Sequence, residues 1–199
     1  MNVSMSMSMS AKLKKMLLSL LLGASSATSF ADVIDFDDLP GDFTEVIADG
    51  YQGFNWANVG TIRSDAFPGS GYAFGTVSPS NTAYNRDGGA VTISKAGDGT
   101  FNFVGAFFTS AFVEQEIAFE GFADGQLMYS TAASFVLDTT TPLWVQLGWA
   151  GIDSLIIYNS SGTQWAMDDM VVPEPTSLAL FGSSAIGLML VRRRRRAAT

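Results

Sequence analysis

Carboxylates are the groups in this chain best placed to do chemistry, and two clusters stand out. Asp35, Asp37 and Asp38 lie near residue 36, and Asp168 and Asp169 lie some way before the C-terminus. In many β-sandwiches the first and last strands run side by side, which would bring the two clusters together. Their oxygens would then suit Ca2+, a hard cation that takes about 6–8 oxygen ligands. Asp38 and Asp169 share the residue parity of Ile34, Phe36, Trp165 and Met167, so both are expected to point inward and are the candidate ligands. The competing reading makes Asp35 and Asp37 the solvated face of a strand. A carboxylate pair could also hydrolyse a glycosidic bond, but no pair is marked out among eighteen acidic residues in the middle of the chain.

Much other chemistry is excluded by composition. The sequence holds no histidine and no cysteine, which removes Ser-His-Asp and Cys-His catalysis, imidazole and thiolate zinc sites, and disulfides. Gly69-Ser70-Gly71 is followed by neither a helix signal nor Gly-Lys-Ser, so no phosphate-cradling loop is present. The chain is therefore expected not to be an enzyme. A second candidate site is aromatic: Tyr51 and Trp56 stand with Phe54, Asn55 and Asn58 in one segment. Rings beside amide groups can stack on sugars and bond their hydroxyls. A glycan-binding face would expose Tyr51 or Trp56, whereas aromatic residues of β-proteins ordinarily fill the core. Trp144 and Trp149 are weaker candidates of the same kind.

The elements that must position these residues read as strands. Residues 33–37 and 116–120 alternate apolar and acidic side chains, and Leu143, Val145, Leu147 and Trp149 share one parity. Residues 101–112 and 155–158 are apolar on both parities, as central strands covered on both sides should be. Gly-rich breaks at 68–71, 87–89, 97–99, 123–125 and 160–162 separate the runs, and Asp-Gly pairs favour hairpins. No 3.6-residue apolar period persists through this region. The expected fold is all-β, an antiparallel β-sandwich of jelly-roll type over residues 32–171.

Charge divides the chain. Residues 32–171 carry eighteen acidic side chains against Arg63, Arg86 and Lys95, a net −15. Such a domain repels nucleic acid and anionic lipid, so its charged partners are cations. The remaining basic residues sit at the two ends. Lys12, Lys14 and Lys15 precede the apolar run 16–24, and Ser29 and Ala31 occupy the −3 and −1 places of a cleavage site. Residues 1–31 thus read as a signal peptide cut after Ala31. At the other end Val172, Pro173, Glu174 and Pro175 precede an uncharged run, 176–191, and then Arg192, Arg193, Arg194, Arg195 and Arg196. As a helix that run is about 24 Å long, against a hydrocarbon core of about 30 Å, a marginal single transmembrane span. The arginines would hold it as a membrane stop on the cytoplasmic side, while the signal peptide sends the domain outward.

The order Val172-Pro173-Glu174-Pro175, apolar helix, arginine cluster closely resembles the PEP-CTERM sorting signal of Gram-negative bacteria. The resemblance covers 172 to about 197. It implies an exosortase, a membrane-embedded cysteine transpeptidase-like enzyme, cutting near Pro173-Glu174-Pro175. It also implies a transient inner-membrane anchor and a mature form at the cell surface or outside it. Hosts of that family make extracellular polysaccharide and biofilm. More loosely, Phe36-Asp37-Asp38-Leu39-Pro40, Tyr51-Gln52-Gly53-Phe54-Asn55-Trp56 and Ala166-Met167-Asp168-Asp169-Met170 resemble sandwich domains that precede this signal. The expected function is that of an exported, non-enzymatic surface or matrix protein working in extracellular polysaccharide. A dedicated carbohydrate-binding module is the alternative, and a carboxylate-based glycosidase the third reading.

Overall fold

The computed structural model describes residues 31–41 and 43–173. The expected signal peptide up to residue 30, Glu174, Pro175, the apolar run and Arg192 to Arg196 lie outside the described residues. Thirteen strands are found among those described. The first half of the domain holds β1 (Ala31–Ile34), β2 (Thr44–Val46), β3 (Phe54–Ala57), β4 (Val59–Arg63), β5 (Asn81–Asn85) and β6 (Val91–Lys95). The second half holds β7 (Phe101–Ser110), β8 (Gln115–Ala123), β9 (Gln126–Ser130), β10 (Phe135–Leu137), β11 (Leu143–Ile152), β12 (Ser154–Asn159) and β13 (Trp165–Pro173). A 3-10 turn at Tyr51–Gly53 and a short helix, α1 (Gly71–Gly75), complete the elements.

The strands form two antiparallel sheets, the sandwich expected from the alternating runs. One has the order β11-β7-β13-β5-β4-β2 with β1 also paired to β13; the other runs β10-β8-β12-β6-β3 with β9 paired to β8. The two-sided apolar runs became β7, set between β11 and β13, and β12, set between β8 and β6. Inward residues Phe54, Trp56, Val91, Ile93, Phe103, Phe108, Ile117, Phe119, Leu155 and Ile157 fill the space between the sheets. Each such side chain contributes about 1.5–3 kcal/mol by leaving water. The five Gly-rich breaks fall in connections between strands, apart from Ala123, which ends β8.

First and last strands lie side by side, with Ala31 opposite Pro173 and Ile34 opposite Met170. Two boundaries differ from the sequence reading. The expected strand 33–37 ends at Ile34, because Phe36 takes φ 64° and its carbonyl accepts from the Leu39 amide. The strand expected to stop before the prolines instead continues through Val172 and Pro173. Val172 is 7 % exposed, and Pro173, as the final residue, is excused from donating to the ladder.

A feature absent from the strand pattern covers the outer face of the first sheet. Residues 64–80 cross that face, carrying α1 against β7, β13 and β4. Ile62, Tyr72, Tyr84, Ala111 and Ala166 form a second, smaller core beneath it. Gly71 permits the close approach, since any Cβ there would overlap the Ser110 carbonyl oxygen. The same contact supports a hydrogen bond from the Gly71 amide to Ala111 O at 2.9 Å.

Candidate functional site

Neither acidic candidate points inward. Asp38 is exposed on the turn after β1, where one carboxylate oxygen accepts from the Tyr51 hydroxyl at 2.6 Å and the other from Gln52 Nε2 at 3.3 Å. The turn itself is a local device. The Asp35 carboxylate accepts from the Asp37 amide, Asp37 Oδ1 from the Asn81 amide at 2.8 Å, and Asn81 Nδ2 donates to the carbonyls of Phe36 and Leu39. Asp169 is half-buried at φ 48°, at a bulge where β13 gains one residue relative to β7 between Asp168 and Val171. A bulge of this kind shifts the side chains that follow it out of alternation. The bulge turns Asp169 out of the inward parity of Trp165 and Met167, while Asp168, which precedes it, keeps the outer parity of Ala166 and is buried there under residues 77–78. Among the described residues no group of three or more acidic side chains could hold a metal ion, so the Asp38 and Asp169 calcium reading gains no geometry.

Asp168 has a different role. Its carboxylate is fully buried and accepts from the Val77 amide at 2.6 Å, the Ser78 amide at 2.9 Å, the Asp169 amide at 2.8 Å and the Ser78 hydroxyl at 3.2 Å. It thus fastens the segment after α1 to β13. Burial pushes its carboxyl up to about 7, and the backbone donors of Ser78, Asp169 and Val77 offset part of that rise.

Trp56 is likewise misplaced by the sequence reading. It is 3 % exposed, with its indole N–H donating to Tyr51 O at 3.0 Å and its ring packed edge-on against Phe36 and Phe54. Tyr51 is half-buried, leaning over Phe36 with its hydroxyl held by Asp38. Burial, then that hydrogen bond, holds the phenol well above the ordinary tyrosine range. The pair forms a corner of the core and not a sugar platform. Trp149 stacks on Tyr129 at 5.3 Å and Trp144 tilts over Phe107 at 5.0 Å, both half-buried.

A concave site that the sequence did not single out lies elsewhere. A pocket of about 360 Å³ is lined by Ala66, Phe67, Pro68, Gly69, Ser70, Ala111, Phe112 and Thr139. Phe67 is 38 % exposed and Phe112 is 50 % exposed, and their rings stand at 87° with centroids 6.2 Å apart. Tyr72 supports both from beneath, and Phe43 packs edge-on against Phe67. The Ser70 hydroxyl donates to Phe67 O at 2.6 Å, so its lone pairs remain for a guest. Asp138 is turned away into its own loop, accepting from the Thr140 and Thr141 amides at 2.7 Å each, which holds its carboxyl below the usual range. The available signal was small: an aromatic residue directly before the Pro-Gly of the 68–71 break, and another ending the 101–112 run.

Comparison with known proteins finds distant structural likenesses and a sorting motif at the end of the chain. No curated protein matches the chain. The N-terminal CBM22-1-CBM22-2 tandem domain of Paenibacillus barcinonensis Xyn10C is similar at TM-score 0.40 and 11 % identity, covering 75 % of this chain and 47 % of that one. This chain therefore spans about half the length of that structure. TmCBM61 in complex with β-1,4-galactotriose is similar at TM-score 0.33 and 9 % identity, over 64 % of this chain and 97 % of that one. The Clostridium thermocellum Xyn10B CBM22-1-GH10 modules complexed with xylohexaose give 0.34 and 10 %, over 73 % and 28 %. Residues 171–196 match the PEP-CTERM protein-sorting motif, which thus begins inside β13 and carries the chain's Pro-Glu-Pro, apolar run and arginine cluster.

Proposed function

We propose that this chain is the precursor of an exported, non-enzymatic surface or extracellular-matrix protein, sorted and processed by an exosortase in a Gram-negative host. The observation that carries the reading is the match of residues 171–196 to the PEP-CTERM sorting motif. In this reading the acidic sandwich faces outward and works within extracellular polysaccharide once the inner-membrane anchor has been removed. The absence of histidine and cysteine and the uncharged lining of the Phe67–Phe112 pocket support a role without covalent chemistry. In this reading the exosortase cuts near Pro173-Glu174-Pro175, after the part of β13 in which Val172 pairs with Asp32.

The test is intact mass in an exosortase-bearing host and in its deletion strain. The expected mature form lacks residues 1–31 and the arginine tail, ends at or just beyond Pro173, and is present only when the exosortase is. A tail retained in both strains overturns the sorting reading and leaves a tethered protein. A second reading, a dedicated carbohydrate-binding module, is favoured by one observation: an open pocket walled by two exposed aromatic rings.

A further inference from the structure

We propose that the pocket between Phe67 and Phe112 is a binding subsite for an uncharged sugar unit of a neutral polysaccharide. The inference gives chemical content to the polysaccharide association proposed above and rests on that reading for its biological setting. Four properties of the site converge on this ligand class. Two rings at right angles form two walls of a notch, and their negatively polarised faces attract the C–H-rich face of a pyranose, whose hydrogens are weakly positive. Ser70 and Thr139 bring hydroxyls to the same lining, suited to a guest that is apolar on one face and hydroxylated at its edge. None of the eight lining residues is charged. The surrounding domain, at −15, repels anionic polymers and also a second copy of itself.

The site is built, not incidental, because a conformational constraint holds it open. Segment 66–71 can press against the end of β7 because Gly71 has no Cβ to meet the Ser110 carbonyl, and the Gly71 amide bonds Ala111 O. That contact sets Phe67 against the residue following Ala111, which is Phe112. Two hydrophobic side chains of this size are ordinarily withdrawn from water when the fold can cover them. Here the buried Tyr72 carries both from below and leaves them facing outward.

The experiment is affinity gel electrophoresis of the full chain in a polyoxyethylene detergent, through gels containing dextran, mixed-linkage β-glucan or hydroxyethylcellulose, with alginate as the anionic comparison. At least one neutral polymer is expected to retard the protein. Phe112→Ala should weaken that retardation about tenfold, the order expected on losing one aromatic contact, and Phe112→Trp should keep it. Phe74→Ala, which removes an exposed ring outside the pocket, should leave it unchanged. Thermal unfolding of Phe112→Ala is expected to match the parent. The proposal is overturned by retardation in none of the three neutral gels, by retardation in alginate alone, or by retardation that Phe112→Ala leaves intact. A concentration-dependent dimer abolished by Phe112→Ala, without retardation, would reassign the patch to self-association. A chain cleaved by exosortase but not retarded loses this inference and keeps its sorting; one retarded but uncleaved does the reverse.

Discussion

Two aromatic clusters of similar size sit in this domain and have opposite fates. Phe36, Tyr51, Phe54 and Trp56 close one corner of the main core, and Trp56 is 3 % exposed. Phe43 and Phe112 each meet Phe67 edge to face on the outer side of the first sheet, and each of the three is at least 38 % exposed. The difference comes from where the backbone carries them. Phe54 and Trp56 alternate on β3, so one pleat direction sends both between the sheets. Phe67 and Phe112 stand in connections, where no pleat dictates direction and the nearest support is the small core under α1. Phe36 and Tyr51 also lie on connections, but their rings pack on Trp56 at the core, so on a connection the contacts and not the pleat decide an aromatic's fate.

Truncation should separate the clusters most sharply. Trp56→Ala is expected to lose about 3–5 kcal/mol in denaturant unfolding, the range for emptying a large core site, while Phe112→Ala stays within about 0.5 kcal/mol of the parent. Equal losses would erase the distinction.

A pH titration addresses what holds the covering segment down. Asp168 has a folded-state pKa raised to about 7 from an unfolded value of 3.8. Over that interval the native state keeps a proton that the unfolded chain has lost, so stability falls as pH rises from about 4 to about 7 and levels above it. The slope is on the order of 1 kcal/mol per pH unit. No imidazole titrates in this window, because the chain has no histidine. Asp168→Asn should flatten the dependence in chemical unfolding followed between pH 5 and 8; an unchanged slope would assign it to other carboxyls.

Smaller effects sharpen the picture. Gly71→Ala forces the segment off β7, at a cost of about 1–3 kcal/mol for overpacking, and should also abolish retardation by neutral polysaccharide. Tyr51→Phe removes only the hydroxyl that Asp38 accepts, so its loss should lie near the lower end of about 0.5–1.5 kcal/mol. Both are read from denaturant midpoints.

Several levels of this structure were legible in advance. The alternation of 116–120, the two-sided apolar runs and the Gly-rich breaks together specify an antiparallel sandwich, because period-2 burial and turn geometry are properties of neighbouring residues. The pairing of the first and last strands was legible as topology. The direction of Asp169 was not, nor was the covering of Asp168 by residues 77–78. One bulge residue at φ 48° moves the alternation by a place, and nothing in Met167-Asp168-Asp169-Met170 marks which residue takes it.

The sequence by itself determined the fold class, the exclusion of histidine and cysteine chemistry, the charge division and the sorting motif, all of which depend on composition or local order. Tertiary structure decided the rest: that Trp56 is core, that Asp168 fastens residues 77–78, and that Phe67 and Phe112 meet edge to face in the lining of one pocket. The last two join residues 91 and 45 positions apart. Such contacts are set by how sheets and connections pack, which no short window of sequence contains.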